Sequence, residues 1–212
     1  MLNKKEMFSL IAVVILMGLI LAFNPTTIKF ENIASFLLIS IIIIGIFVIS
    51  KKLIARHLDM SVDFKIWELS RYWITKKSHL KNPLPMGFII PIIFTFLSSG
   101  YVKALTFLQY KTTALPSKAV KKYGLRRFST ITEFDESLLV FYALTPLLAI
   151  SIISSFITGN FFSELSKISL YYVCWNLIPF SKLEGMKLLM GSKPLYISTT
   201  ILTAITALIV LI

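Results

Sequence analysis

Within one ten-residue run, Asn176-Leu177-Ile178-Pro179-Phe180-Ser181-Lys182-Leu183-Glu184-Gly185, an apolar stretch is broken by an asparagine and a proline and closed by a carboxylate. Proline removes a backbone donor and ends a helix, and a carboxylate beside the freed backbone groups at membrane depth marks a functional site by default. As a lone carboxylate near Lys182 and Lys187, Glu184 could be an ion-paired residue at the membrane edge. Other side chains offer less. His57 could join Asp59, Asp63 or His79 around a metal, but a lone histidine among carboxylates reads better as a hydrogen-bonded surface group. Cys174 has no histidine close to it in sequence and is not expected to act as a thiolate nucleophile. As the single cysteine it also excludes a disulfide framework and a Cys-rich zinc site. Glu133, Asp135 and Glu136 read as first-turn acids that meet a helix N-terminus, and Trp67, Tyr72 and Trp73 as an interfacial aromatic belt.

The run 176–185 resembles the Asn-x-x-Pro-x-x-x-x-Asp-Gly segment of the site-2 protease family, the intramembrane zinc metalloproteases. Asn176, Pro179 and Gly185 match, and Glu184 stands where the family has aspartate, a zinc ligand. A second likeness lies in Lys52-Leu53-Ile54-Ala55-Arg56, which is similar to the tail that follows the family's His-Glu-x-x-His zinc helix. Counting back from it puts Phe47, Val48 and Lys51 at the positions of the first histidine, the glutamate and the second histidine. Zinc hydrolysis needs two imidazoles at i and i+4 and a carboxylate that takes a proton from the bound water. Phe47 and Val48 offer no lone pair, and Lys51 brings positive charge. The resemblance implies that Glu184, at the relic position of a metal ligand, pairs with a cation or with backbone donors near the cytoplasmic end of the apolar run 33–50, with Lys51 as the candidate cation. A third likeness is Ala143-Leu144-Thr145-Pro146-Leu147-Leu148-Ala149, where Thr145 and Ala149 replace the glycine and asparagine of a Gly-Pro-x-x-Asn helix. The resemblance covers roughly residues 34–192 and implies a protease-like membrane fold whose chemistry is missing. Asn176, Pro179, Glu184 and Gly185 are then a vestigial motif, and no catalytic residue, metal or cofactor is expected.

The elements that must position these residues follow from composition. Of 212 residues, 56% are hydrophobic and only 15% charged, against about 25% charged in soluble domains. The reading is an all-α polytopic integral membrane protein forming a single membrane domain over 1–212. Five to six hydrophobic segments are expected, with spans at about 8–23, 33–50, 138–158, 168–180 and 195–212. The first, behind Lys4 and Lys5, lacks a small-residue cleavage site and reads as an uncleaved span that ends near Asn24-Pro25. The second carries no charge and ends at Lys51-Lys52, and 138–158 leads into a sparse external loop holding Glu164 and Lys167. The uncharged run Asn82 to Val102 holds Pro83, Pro85, Gly87, Pro91 and Gly100 and lies between two basic regions, so a re-entrant hairpin or an extended membrane-edge segment near 85–109 fits better than one crossing.

Net charge is +12, and its basic residues fall between the apolar runs. Lys51, Lys52, Arg56, Lys65, Arg71, Lys76, Lys77 and Lys81 fill one loop, and Lys118, Lys121, Lys122, Arg126 and Arg127 cluster in the next. By the positive-inside bias these loops and the turn with Lys182, Lys187 and Lys193 are cytoplasmic, which puts the N-terminus inside and the C-terminus outside. The expected setting is the plasma membrane of a prokaryotic cell. Expected partners are the lipid bilayer, anionic headgroups at the basic loops, and a transmembrane segment of another protein held in a vestigial protease cleft. Nucleic acid is not an expected partner. Three other classes compete with segment binding: an active metalloprotease with non-standard ligands, a transporter, and a lipid-binding or structural subunit. A transporter would place ionisable groups inside its spans, and the runs 8–23, 33–50 and 195–212 carry none.

Overall fold

A computed structural model describes residues 4–23, 32–71, 79–115, 131–181 and 183–211. The expectations for Asn24-Pro25, Tyr72, Trp73, Lys76, Lys77, Lys182 and the cluster from Lys118 to Arg127 lie outside these residues, as do the side chains of Lys5, Arg71, His79 and Lys81. The described chain is mostly helical. In order it forms α1 (Lys4–Ala22), α2 (Ile33–His57), β1 (Met60–Ile66), β2 (Leu69–Arg71), β3 (His79–Leu84), α3 (Met86–Leu97), β4 (Leu108–Ala114), α4 (Glu133–Ser155), α5 (Asn160–Leu177), α6 (Glu184–Gly191) and α7 (Lys193–Leu211).

Among the described residues three helices, α2, α4 and α7, are long and apolar enough to cross a membrane. That corrects the expected five to six. The apolar part of α1, Glu6–Ala22, and α3 are shorter than 18 residues, and a hydrocarbon core of about 30 Å needs roughly 20 at 1.5 Å per residue. The stretch 168–180 belongs to α5, which starts at Asn160 and ends at Leu177, so Glu164 and Lys167 sit on a helix rather than in a loop. Nor does α2 stop at Lys51-Lys52. It runs on to His57, and Lys51 therefore lies inside the helix.

The all-α expectation is corrected by four strands. In β1, Met60, Val62 and Phe64 are buried while Asp63 and Lys65 are exposed, the period-2 alternation of a half-buried strand. It pairs with β4, where Leu108 and Tyr110 are buried and Lys111 and Thr113 exposed. β2 pairs antiparallel with β3, with an irregularity between Leu69 and Arg71.

Two compact units make up the chain. The first comprises Met1–Ser40 and Phe64–Gln109. Trp67 is buried in it, its backbone N–H donating to the Phe107 carbonyl at 2.9 Å and its carbonyl accepting from the Gly87 N–H at 2.9 Å. Trp67 is therefore core, not aromatic belt. Because positions 87 and 107 both meet Trp67, the segment expected near 85–109 goes out as a helix and comes back. α3 rises from Met86, Ser99 and Gly100 turn in the left-handed region, and residues 102–107 return without helix or strand. Gly87 allows the close approach, since a Cβ there would meet the Phe107 carbonyl. Lys103 Nζ donates to the Leu21 carbonyl at 2.7 Å, a cation at the C-terminal end of α1. At the other end Glu6, buried, accepts from Phe64 N–H at 3.2 Å.

The second unit comprises Ile41–Asp63 and Tyr110–Ile212. α4 begins with a capping box between Thr132 and Asp135. It packs on α5 through reciprocal bonds in which Ser151 Oγ donates to the Ser166 carbonyl at 2.9 Å and Ser166 Oγ to the Ser151 carbonyl at 2.6 Å. Hydroxyls serve this purpose between apolar helices, where dispersion forces alone give little specificity. On α7 the threonines Thr199, Thr203 and Thr206 are buried.

Candidate functional site

Phe47 and Lys51 stand four residues apart on α2 and so share one face, and both are buried. Lys51 is 0% exposed. An ammonium in such a place is tolerable only with a matched partner, and the structure supplies Glu184, 2% exposed, which accepts from Lys51 Nζ in a buried ion pair. This is the partner expected from the sequence.

The local chemistry of the chain explains how Glu184 arrives there. α5 stops at Leu177 because Ile178 takes an extended conformation, as a residue before proline does. Ser181 turns in the left-handed region with φ 52°, and Leu183 is extended before α6 begins at Glu184. Gly185 then seats α6 against the end of α5. A Cβ at that position would collide with the Leu177 and Ile178 carbonyls. Asn176, also buried, donates from its amide to the Tyr172 carbonyl at 2.8 Å, and Pro179 is exposed.

Aromatic rings line the pair. Lys51 Nζ lies 3.6 Å from the centroid of the Tyr110 ring and 4.5 Å from that of Phe47, distances at which a ring's negative face attracts a cation. Phe47 meets Tyr172 edge-on with centroids 5.5 Å apart. A second cation, Lys187 on α6, stands 3.4 Å from the Tyr110 centroid and donates to the Tyr110 carbonyl at 3.1 Å. Lys187 also lies 3.6 Å from Glu136 Oε2 on α4, while Glu136 Oε1 accepts from the Thr112 hydroxyl on β4. Two ammoniums and two carboxylates thus surround one tyrosine, and their formal charges cancel. Burial pushes the Tyr110 phenol well above its ordinary value, and the Glu184 and Glu136 carboxylates push it the same way. Among the described residues neither the Tyr110 hydroxyl nor Glu184 Oε2 has a hydrogen-bond partner.

Of the residues singled out in the sequence, Phe47, Val48, Lys51, Asn176, Glu184 and Gly185 are all buried in this unit. Others lie elsewhere. His57, Cys174 and Ala149 are exposed, and Thr145 bonds back to the Tyr142 carbonyl of its own helix at 3.1 Å. Among the described residues no three His, Cys, Asp or Glu side chains are grouped as a metal site would require. Sequence reasoning missed Tyr110 and Thr112 and named Lys187 only as a cation near Glu184, and its reading of Glu136 as a first-turn acid holds but did not reach the ties of that carboxylate to Thr112 and Lys187. Lys187 was within reach, since it follows Glu184 by three residues and must share its helix face. Tyr110 could be found only through the period-2 pattern of β4.

The arrangement suits charge burial rather than group transfer, because each charged group already faces an opposite charge. The chain was compared with family models, curated proteins and solved structures, and none of these matches it.

Proposed function

We propose that the chain is a site-2-protease-like integral membrane protein without proteolytic activity, which binds a transmembrane segment of another protein in a vestigial protease cleft. One observation carries this reading. Lys51, at the position of the family's second zinc histidine, is ion-paired with Glu184, at the position of its zinc aspartate. Zinc does not fit such a donor set: an ammonium occupies the carboxylate, and Phe47 replaces the other imidazole. On this reading an ammonium supplies in place the positive charge that a metal ion would bring. On this reading the out-and-back segment near 85–109 is a membrane-edge layer, and its exposed Phe94, Phe96 and Leu97 meet acyl chains.

The same reading puts the basic loops at anionic headgroups on the cytoplasmic face of a prokaryotic plasma membrane. It is tested on detergent-purified protein expressed with added zinc. Metal analysis is expected to find no stoichiometric zinc, and a photo-crosslinker at Ile178 is expected to trap a single-pass membrane peptide. Stoichiometric zinc would instead support an active metalloprotease with non-standard ligands. Lipid adducts alone would support a lipid-binding or structural subunit.

A further inference from the structure

The two ion pairs beside Tyr110 differ in their access to water. Lys51 and Glu184 are 0% and 2% exposed, whereas Lys187 and Glu136 are 19% and 25% exposed. Water screens the outer pair, which is correspondingly weak, while the inner pair is costly to separate. Between them stands Tyr110, with one ammonium 3.6 Å and the other 3.4 Å from its ring centroid.

Lys187 therefore links three elements with one charged group. From α6 it reaches the ring and carbonyl of Tyr110 on β4 and the carboxylate of Glu136 on α4. Glu136 in turn takes the Thr112 hydroxyl, so the same carboxylate grips β4 directly and through the cation. Besides its place next to β1, where the Ser61 and Thr113 hydroxyls bond and Leu115 N–H donates to the Asp59 carbonyl, the 110–114 half of β4 is tied down through this cluster. An ordinary side-chain contact would not concentrate so many ties on one partly wetted pair.

We propose that Lys187 and Glu136 form a latch that holds residues 110–114 closed over the buried Lys51–Glu184 pair, and that breaking it uncovers that pair. Tyr110 is the cover. Opening begins at the outer pair, where the ties are screened, and leaves the inner pair intact but accessible. The latch rests on the preceding reading only in taking Lys51–Glu184 as the floor of the partner cleft.

Competitive acetylation of lysines in the full-length protein, followed by mass spectrometry, tests it. In the wild type Lys51 should react far more slowly than Lys65 and Lys111, which are exposed and serve as references. Lys187→Met should raise Lys51 labelling on the order of tenfold, the shift in open population expected when a screened ion pair and a cation–π contact are lost together. Glu136→Gln should act in the same direction, and Lys187→Arg, which keeps the charge, should preserve protection. If Lys187→Met fails to fold, Thr112→Val decides, since it removes only one tie to Glu136 and should give a smaller rise. Lys51 labelling that stays at the wild-type rate in every folded variant overturns the latch, as does wild-type Lys51 reacting as fast as Lys111. Metal analysis and peptide capture bear on the protease-like reading and not on this one, so either can fail alone.

Discussion

Lys51 and Glu184 carry the electrostatics of the second unit at the level of single residues. Taking away one member leaves the other as an uncompensated buried charge, which costs about 3–5 kcal/mol in soluble proteins. Lys51→Met and Glu184→Gln are each expected to destabilise the protein by roughly that amount in a denaturant titration. Because the two losses have one cause, the double variant Lys51→Met/Glu184→Gln should fall well short of their sum. Strictly additive effects would mean that the pair does not couple. The sequence pointed to these two residues through the resemblance, in which Lys51 falls at the second zinc histidine and Glu184 at the zinc aspartate. It gave no such pointer to Tyr110, whose importance lies in where β4 puts its ring.

The break between α5 and α6 is the element on which the site depends. Proline fixes where α5 must end, and Gly185 fixes how closely α6 returns to it. Gly185→Ala should force the first turn of α6 away from the Leu177 and Ile178 carbonyls, at a cost of about 1–3 kcal/mol. It should also lower the midpoint of thermal unfolding, whereas the exposed position Lys111→Ala should leave it nearly unchanged. Equal midpoints for the two variants would contradict the tight seat. Helices α2, α4 and α7 were legible from hydropathy because each needs only its own residues to read as a span. The strands were not, although β1 alternates cleanly over Met60 to Lys65. Its basic and polar neighbours suggested a cytoplasmic loop, and a seven-residue strand gains stability only from a partner some 40 to 50 residues away.

For the whole molecule the outstanding quantity is the number of crossings. Among the described residues three helices qualify by length and composition, an odd number that puts the termini on opposite faces, whereas holding every basic loop on one face takes further crossings between them. Reporter fusions at Ile212 and before Lys4 should therefore light up in opposite compartments. Fusions reporting from one compartment would require an even number of crossings and a different sidedness for at least one basic loop. Charge sets which terminus faces which side, since Lys and Arg bias orientation whatever the packing between helices.

The sequence by itself determined that this chain carries helices long and apolar enough to cross a membrane, where they lie, and that a proline-broken segment ends in a carboxylate. Those features are local: hydropathy, helix period and proline sterics act within a few residues. Only the tertiary structure decided that α2 continues past Lys51 and that Trp67 is core. It alone gathered Tyr110, Thr112, Glu136 and Lys187 around the Lys51–Glu184 pair. These contacts join residues far apart in the chain, between elements whose approach is set by packing and by the need to neutralise buried charge.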